Sequence, residues 1–146
     1  MSETIPPHVG HLIRLAQQIH TRMWNANVSG DVTSPQFQLL SVLEATSDID
    51  QRTATELARL DRSTGAELIE RLARHGLLER RRDLDDRRRY LLSLTPSGAA
   101  LVHELRPAIR DLHVKMLNLV PDELRASFLD GLEHFVAAAE TDVTDD

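Results

Sequence analysis

The chain has 146 residues, 41% hydrophobic and 27% charged, with a formal net charge of −6 and no cysteine. That length suits one domain with a real core, and the lack of thiols excludes a disulfide framework, Cys-ligated zinc, a thiol nucleophile and a thiol redox sensor. No apolar stretch nears the ~20 residues of a membrane span, and Met1–Pro7 has neither a basic nor an apolar leader segment, so a soluble, cytoplasmic protein is expected.

Residues 8–28 read as a helix, with Ile13, Ala16, His20 and Met23 on one face and Leu12, Leu15 and Ile19 beside it. After the turn-rich segment from Val28, Ser34 is the expected N-cap and Pro35 the first helical position of a helix to about Ala45, with Phe37, Leu40 and Leu43 at helical spacing. Ser47–Arg52 reads as a polar linker. Thr53-Ala-Thr-Glu56 has the form of a capping box and predicts a short helix over Thr53–Leu60 with Leu57 and Leu60 inward. Asp61 is the expected cap of the next helix, Arg62–His75, buried through Leu68, Ile69 and Leu72, with Gly76 as its left-handed C-terminal stop.

The period then changes. Leu77–Arg82 and Arg89–Leu94 predict two short strands joined by a hairpin connection from Asp83 to Arg87. Thr95-Pro96 opens a long helix to about Leu119, in which Pro107 predicts a kink or a division. Pro121-Asp122-Glu123 opens a last helix to about Glu140, with Leu124, Phe128, Leu132 and Phe135 on one side, and Thr141–Asp146 is expected to fray. No internal repeat or low-complexity segment is visible.

Charge is unevenly placed. Residues 52–90 hold eleven Arg against eight acids, whereas the segments on either side are both net acidic. Six of the ten residues of Arg80–Arg89 are Arg. Local field, not net charge, decides where a polyanion docks. Aromatics, at 3%, are too few for a platform that stacks single-stranded nucleic acid.

Helix, tight turn, helix and Arg-rich hairpin is the layout of a winged helix-turn-helix, in a chain that is otherwise mainly α. A helix fits the major groove, and residues near its N-terminus reach base edges: here Arg62, Ser63, Thr64 and Glu67, with Arg71 one turn on. The Ser63 and Thr64 hydroxyls and free N–H groups suit phosphate oxygens. The hairpin tip carries Arg87 and Arg88 toward a minor groove, whose negative potential attracts Arg. Against this, basic hairpins are commonly solvated, salt-bridged surfaces, and Asp83, Asp85 and Asp86 could pair the arginines internally. Glu67 repels phosphate, though it could accept from a cytosine amino group. An enzyme lacks support: no metalloprotease, nucleophile-elbow, phosphate-loop or dinucleotide motif is present. A helical interaction module that does not touch DNA is the other alternative.

From Thr33 to Leu101 the chain resembles the MarR family of transcriptional regulators. The similarity rests on Thr33-Ser-Pro-Gln-Phe-Gln-Leu-Leu, Ala54-Thr-Glu-Leu-Ala, Leu60-Asp-Arg-Ser-Thr, Arg71-Leu-Ala-Arg-His-Gly-Leu-Leu-Glu-Arg, Asp86-Arg-Arg and Leu94-Thr-Pro-Ser-Gly. It implies a homodimer, with residues 1–32 and 96–146 forming the dimerisation helices and 33–95 the DNA-binding region. It also implies a pseudo-palindromic double-stranded operator and relief of repression by a small effector. By the family pattern Asp86 orients the wing and Arg88 enters the minor groove. Gly65 departs from that pattern, which has a β-branched or other apolar residue there; glycine costs roughly 1 kcal/mol of helix preference.

The first helix is rich in polar groups: His8, His11, Arg14, Gln17, Gln18, His20, Trp24 and Asn25. Arg14 can clasp a carboxylate bidentately, and His20, on the apolar face, needs a partner. The run Gly10-His-Leu-x-Arg-x-x-Gln-Gln-x-His with Trp24-Asn25 looks like the MarR subgroup that responds to phenolic acids such as protocatechuate, in which the positions of Arg14 and His20 hold the ligand. That resemblance implies an aromatic carboxylate effector held by Arg14 and His20, with His8, His11, Trp24 and Asn25 nearby. The alternatives are a multidrug or metal effector, an inter-subunit salt bridge for Arg14, a packing role for Trp24 and a satisfied core histidine at His20. His8 and His11 could begin a zinc site, but no further ligand is visible in the sequence, and no metal or cofactor is expected.

Overall fold

The computed structural model describes residues 8–142. Its elements run α1 (Val9–Asn27), α2 (Ser34–Ala45), β1 (Ile49–Asp50), α3 (Gln51–Leu57), α4 (Arg62–Arg74), β2 (Leu78–Arg82), β3 (Tyr90–Leu94), α5 (Pro96–Leu117) and α6 (Asp122–Asp142). The chain is mainly helical with a small antiparallel sheet, as expected. The described residues up to Ile109 make one compact unit and those from Arg110 a second.

In the first unit, α1 is anchored at its C-terminal end. Trp24 is buried and its indole N–H donates to the Val32 carbonyl at 2.6 Å, while its ring lies 6.0 Å from that of Phe37. The cap of α2 is Thr33, one residue before the expected Ser34. The Thr33 hydroxyl accepts from the Gln36 N–H and the Gln36 side chain accepts from the Thr33 N–H, which completes a reciprocal box that Ser34 cannot form.

The start of α3 also differs from expectation. Asp50, not Thr53, is the cap, accepting from the Thr53 N–H at 2.9 Å and the Thr53 hydroxyl at 2.8 Å. A carboxylate outcompetes a hydroxyl for a helix N-terminus, so the helix spans Gln51–Leu57 and not Thr53–Leu60. Ala54 and Ala58 then face the core, and Leu57, about 100° round the helix from Ala58, is 52% exposed, not inward as expected. The polar linker contains a short strand, β1, that its residue types do not announce.

Arg59 carries the turn into α4 with φ 54°. Asp61 caps α4 as expected, and Ile69 and Leu72 are buried. Gly76 ends the helix at φ 71°, a left-handed conformation that a side chain would strain. The sheet order is β1-β3-β2, with Ile49 opposite Leu92, and Leu78 opposite Leu94. The core gathers Leu39, Leu40, Leu43, Ile69, Leu72, Leu78, Leu92 and Val102, from α2, α4, the sheet and α5. The Thr95 hydroxyl, at the head of α5, donates to the Gly76 carbonyl at 2.7 Å and accepts from the Gly98 N–H. That ties the end of α4 to the start of α5. Pro107 does not divide α5; both Pro107 and His103, whose carbonyl loses a partner, face solvent, where water can satisfy the freed group.

In the second unit the Arg125 guanidinium donates to the Leu117 and Val120 carbonyls, closing the turn between α5 and α6. The helix α6 continues to Asp142, past the expected fraying point at Thr141, and the rest of that tail lies outside the described residues, as does Met1–Pro7. None of the residues of α6 is buried. No helix among the described residues is long and apolar enough to cross a membrane.

Candidate nucleic-acid interface

The recognition helix begins at a tightly bonded cap. The Asp61 carboxylate accepts from the Thr64 N–H at 2.9 Å, the Thr64 hydroxyl at 2.8 Å and the Ser63 hydroxyl at 3.0 Å. These donors, the Thr64 N–H first, hold the Asp61 carboxyl below the ordinary carboxylate range. Both hydroxyl protons are thus committed to Asp61, and an incoming phosphate would have to compete for them. Arg62, Ser63, Glu67 and Arg71 are exposed, and Thr64 is half-buried.

Gly65 has a packing reason. A Cβ there would lie 2.4 Å from Thr55 Cγ2 and 2.8 Å from its hydroxyl. Thr55 is itself buried, its hydroxyl donating to the Gln51 carbonyl at 2.8 Å. The two helices of the motif therefore meet glycine to β-branched residue, and the volume that the family pattern places at position 65 is supplied by Thr55.

The wing sorts its arginines. At its stem, Arg81 pairs with Asp48 at 3.0 Å, and Arg89 pairs with Asp50 at 3.2 Å and Asp83 at 3.9 Å. Arg82 donates to the Arg87 carbonyl at 2.7 Å. Arg80 and Arg82 lie against the Tyr90 ring, their guanidinium carbons 4.1 Å and 5.1 Å from its centroid. At the tip, the Asp86 carboxylate accepts the Arg88 N–H at 3.0 Å and the Asp86 carbonyl accepts the Arg89 N–H at 2.9 Å, which fixes the turn. Arg87 and Arg88 are exposed and make no ion pair among the described residues. Carboxylates, Asp48 and Asp50 from outside the hairpin and Asp83 from within it, thus pair with arginines of the stem and leave those of the tip unpaired.

Between the wing and the two helices lies a groove of about 440 Å³, whose wall carries Arg62 and Ala66 of α4, Arg52 and Glu56 of α3, and Arg80, Arg88, Arg89 and Tyr90 of the wing. Five guanidinium groups against the carboxylates of Asp50 and Glu56 give this concave face a positive field. The Asp50 carboxyl sits below its ordinary value of 3.8, held there first by the Thr53 N–H, then by the Thr53 hydroxyl and Arg89, against a desolvation that acts the other way. Arg52, Arg80, Arg89 and Tyr90 were not singled out from the sequence. Pairing the strands would have found two of them, since Arg82 stands opposite Tyr90 and Arg80 is diagonal to it.

The polar residues of α1 fall into two groups. Arg14 Nη2 donates to His11 Nδ1 at 3.1 Å, on an exposed surface. His20 is half-buried with its ring 6.2 Å from that of Trp24, and Trp24 has its only polar atom engaged by Val32. His8 stands at the N-cap without a side-chain cap bond, and His8 and Asn25 are exposed. Six residues of helix separate Arg14 from His20 by about 9 Å along the axis and about 120° around it, so the two are not brought together on one face. No group of three or more metal-ligating side chains occurs among the described residues.

Residues 30–89 match the MarR family. The HTH-type transcriptional repressor NicR of Pseudomonas putida is 32% identical over 109 residues, covering 74% of this chain and 69% of NicR. The PcaV transcriptional regulator of Streptomyces coelicolor, solved with its natural ligand, superposes with a TM-score of 0.84 at 41% identity, over 91% of this chain and 94% of that one. The chain belongs to the MarR family. It is a DNA-binding transcriptional regulator with a winged helix-turn-helix. A second solved structure, that of Bordetella bronchiseptica BpsR, described as regulated in its DNA binding by 6-hydroxynicotinic acid, has a TM-score of 0.79 at 28% identity, over 88% of this chain and 98% of that one.

Proposed function

We propose that this MarR-family protein is a repressor that binds a pseudo-palindromic operator as a homodimer and leaves it when a small hydroxylated aromatic acid binds. The observation that carries the DNA-reading part is the sorting of the wing: of its stem arginines, Arg81 and Arg89 are paired with carboxylates and Arg80 and Arg82 lie on the Tyr90 ring, whereas the tip arginines, Arg87 and Arg88, are free to meet a minor groove. Arg62, Ser63, Thr64, Glu67 and Arg71 of α4 enter the neighbouring major groove, and Asp86 holds the tip in position. Two copies, joined through the terminal helices 1–32 and 96–146, set their recognition helices about one turn of duplex, ~34–36 Å, apart.

The effector reading rests on the chemistry of α1 and on what its relatives bind. Arg14, with His11 hydrogen-bonded beside it, offers a fork to a carboxylate, and the half-buried His20 offers a ring nitrogen to a phenolic hydroxyl. Because Arg14 and His20 face different sides of α1, the ligand needs a second wall, which a partner element supplies; Trp24 contributes ring surface only. The ligand shifts the equilibrium only by its differential affinity for the released and DNA-bound states.

Fluorescence anisotropy of a labelled duplex from upstream of the protein's own gene tests both parts. Wild type should bind, and hydroxybenzoates should release it. Arg14→Ala should bind equally well and resist release. No binding by wild type contradicts the repressor reading, and release of Arg14→Ala at the wild-type ligand concentration contradicts the effector site.

A further inference from the structure

We propose that Tyr90, the only tyrosine of the chain, is a positioning residue for DNA binding: its ring holds Arg80 at the groove wall and, by holding Arg82 as well, braces the tip that carries Arg88. The inference rests on the wing being the DNA contact described above.

Tyr90 stands at the first position of β3, directly opposite Arg82, with Arg80 diagonal to it on the same face of the sheet. The two guanidinium carbons lie 4.1 Å and 5.1 Å from the ring centroid, within the ~6 Å range of attraction between a cation and an aromatic quadrupole. Two like charges on neighbouring positions of one strand face repel, and in solvent each side chain would sample many rotamers. The ring lowers both penalties at once.

Two further features make the ring, not the hydroxyl, the working part. The Tyr90 hydroxyl makes no hydrogen bond among the described residues, and neither Arg80 nor Arg82 makes an ion pair there. Arg82, once held, donates to the Arg87 carbonyl at 2.7 Å. That carbonyl belongs to the residue before Arg88, whose own N–H is taken by Asp86. Tyr90, Arg82 and Asp86 therefore fix the tip from both sides, and Arg80, which shares the groove wall with Arg62 and Arg88, is held against the ring. Ordering these side chains before DNA arrives removes part of the entropy cost of binding.

The test is operator affinity, read by anisotropy, with thermal stability measured in parallel for Tyr90→Leu, Tyr90→Phe and Tyr90→Trp. Tyr90→Leu should weaken binding roughly fivefold to tenfold, the scale expected when two arginine side chains must be ordered on binding and not before it, with only a small fall in melting temperature from the loss of the two exposed contacts. Tyr90→Phe and Tyr90→Trp should bind like wild type. In an Arg80→Gln/Arg82→Gln background Tyr90→Leu should have no further effect. Equal binding by Tyr90→Leu and wild type, while Arg88→Ala binds weakly, overturns the role of Tyr90 and leaves the wing reading intact. Unchanged binding by Arg88→Ala removes the wing reading and this inference together. Additive losses in the triple variant would mean that the ring meets DNA itself, and overturn the positioning role; a Tyr90→Phe as weak as Tyr90→Leu would do the same by assigning the effect to the hydroxyl.

Discussion

Between Thr33 and Leu94 the chain covers most of its own apolar surface: Leu39, Leu40, Ile69 and Leu92 are fully buried, and the exposed Leu57 and Leu84 stand singly. Along α6 nothing is buried, and Leu124, Phe128, Leu132 and Phe135 are 45–55% exposed, as are Val9 and Ile13 of α1 to a similar degree. The DNA-reading region is therefore specified by contacts within one chain, while the terminal helices carry apolar faces that a single chain leaves uncovered. Isolated apolar side chains on a surface are ordinary, but a helix with a full exposed stripe belongs to an interface. Substitutions in the two regions should fail in different ways.

The largest effect should come from the stripe. Phe128→Glu with Phe135→Glu should yield a monomer by sedimentation at micromolar concentration and lower operator affinity by about two orders of magnitude or more, because a half-site alone forfeits the second set of contacts. The helical circular dichroism of the core region should persist. A dimer of wild-type affinity would break the comparison.

Next comes the contact between the two helices of the motif. Helix preference alone makes Gly65→Ala stabilising by about 1 kcal/mol. The clash with Thr55 reverses the sign, and denaturant unfolding should show a loss of about 1–3 kcal/mol. Adding Thr55→Ala, which clears the space, should recover part of it. A more stable Gly65→Ala would show that α4 has room to shift.

The smallest effect concerns the cap that links the wing stem to α3. Asp50→Ala should cost about 1 kcal/mol at neutral pH. Since the folded-state pKa of Asp50 lies below its ordinary value of 3.8, its contribution is present above that value and lost as pH falls through it toward the lower folded-state pKa. The stability difference between wild type and Asp50→Ala should be constant above about pH 5 and shrink below it; a difference independent of pH would assign the cost to the lost side chain and not to its charge.

Most of the helical layout was legible because its signals are local. The Pro35 position in the first turn of α2 and the Asp61 cap follow from residue types at fixed offsets, and Gly76 from the need for a left-handed stop. What was not legible depends on competition or on distance. Thr33 displaces Ser34 because only Thr33 finds a reciprocal partner, Gln36, and Asp50 displaces Thr53 because a carboxylate outcompetes a hydroxyl for the helix N-terminus. β1 has two residues and exists only because β3 lies beside it. The role of Gly65 needs Thr55, ten residues earlier, and the division of the arginines into stem and tip needs Asp48 and Asp50, which lie outside the hairpin. On α1 the residue types were plain, but helical geometry separates Arg14 from His20, so that helix alone cannot show how a ligand would meet both.

The central claim, that unpaired arginines at the wing tip read duplex DNA, is tested most directly by titrating salt against operator affinity for wild type and Arg87→Ala/Arg88→Ala. The variant should bind at least tenfold more weakly, and its plot of log affinity against log salt should be shallower by roughly one to two units, as two cations cease to displace counterions. Superimposable titrations would contradict the claim.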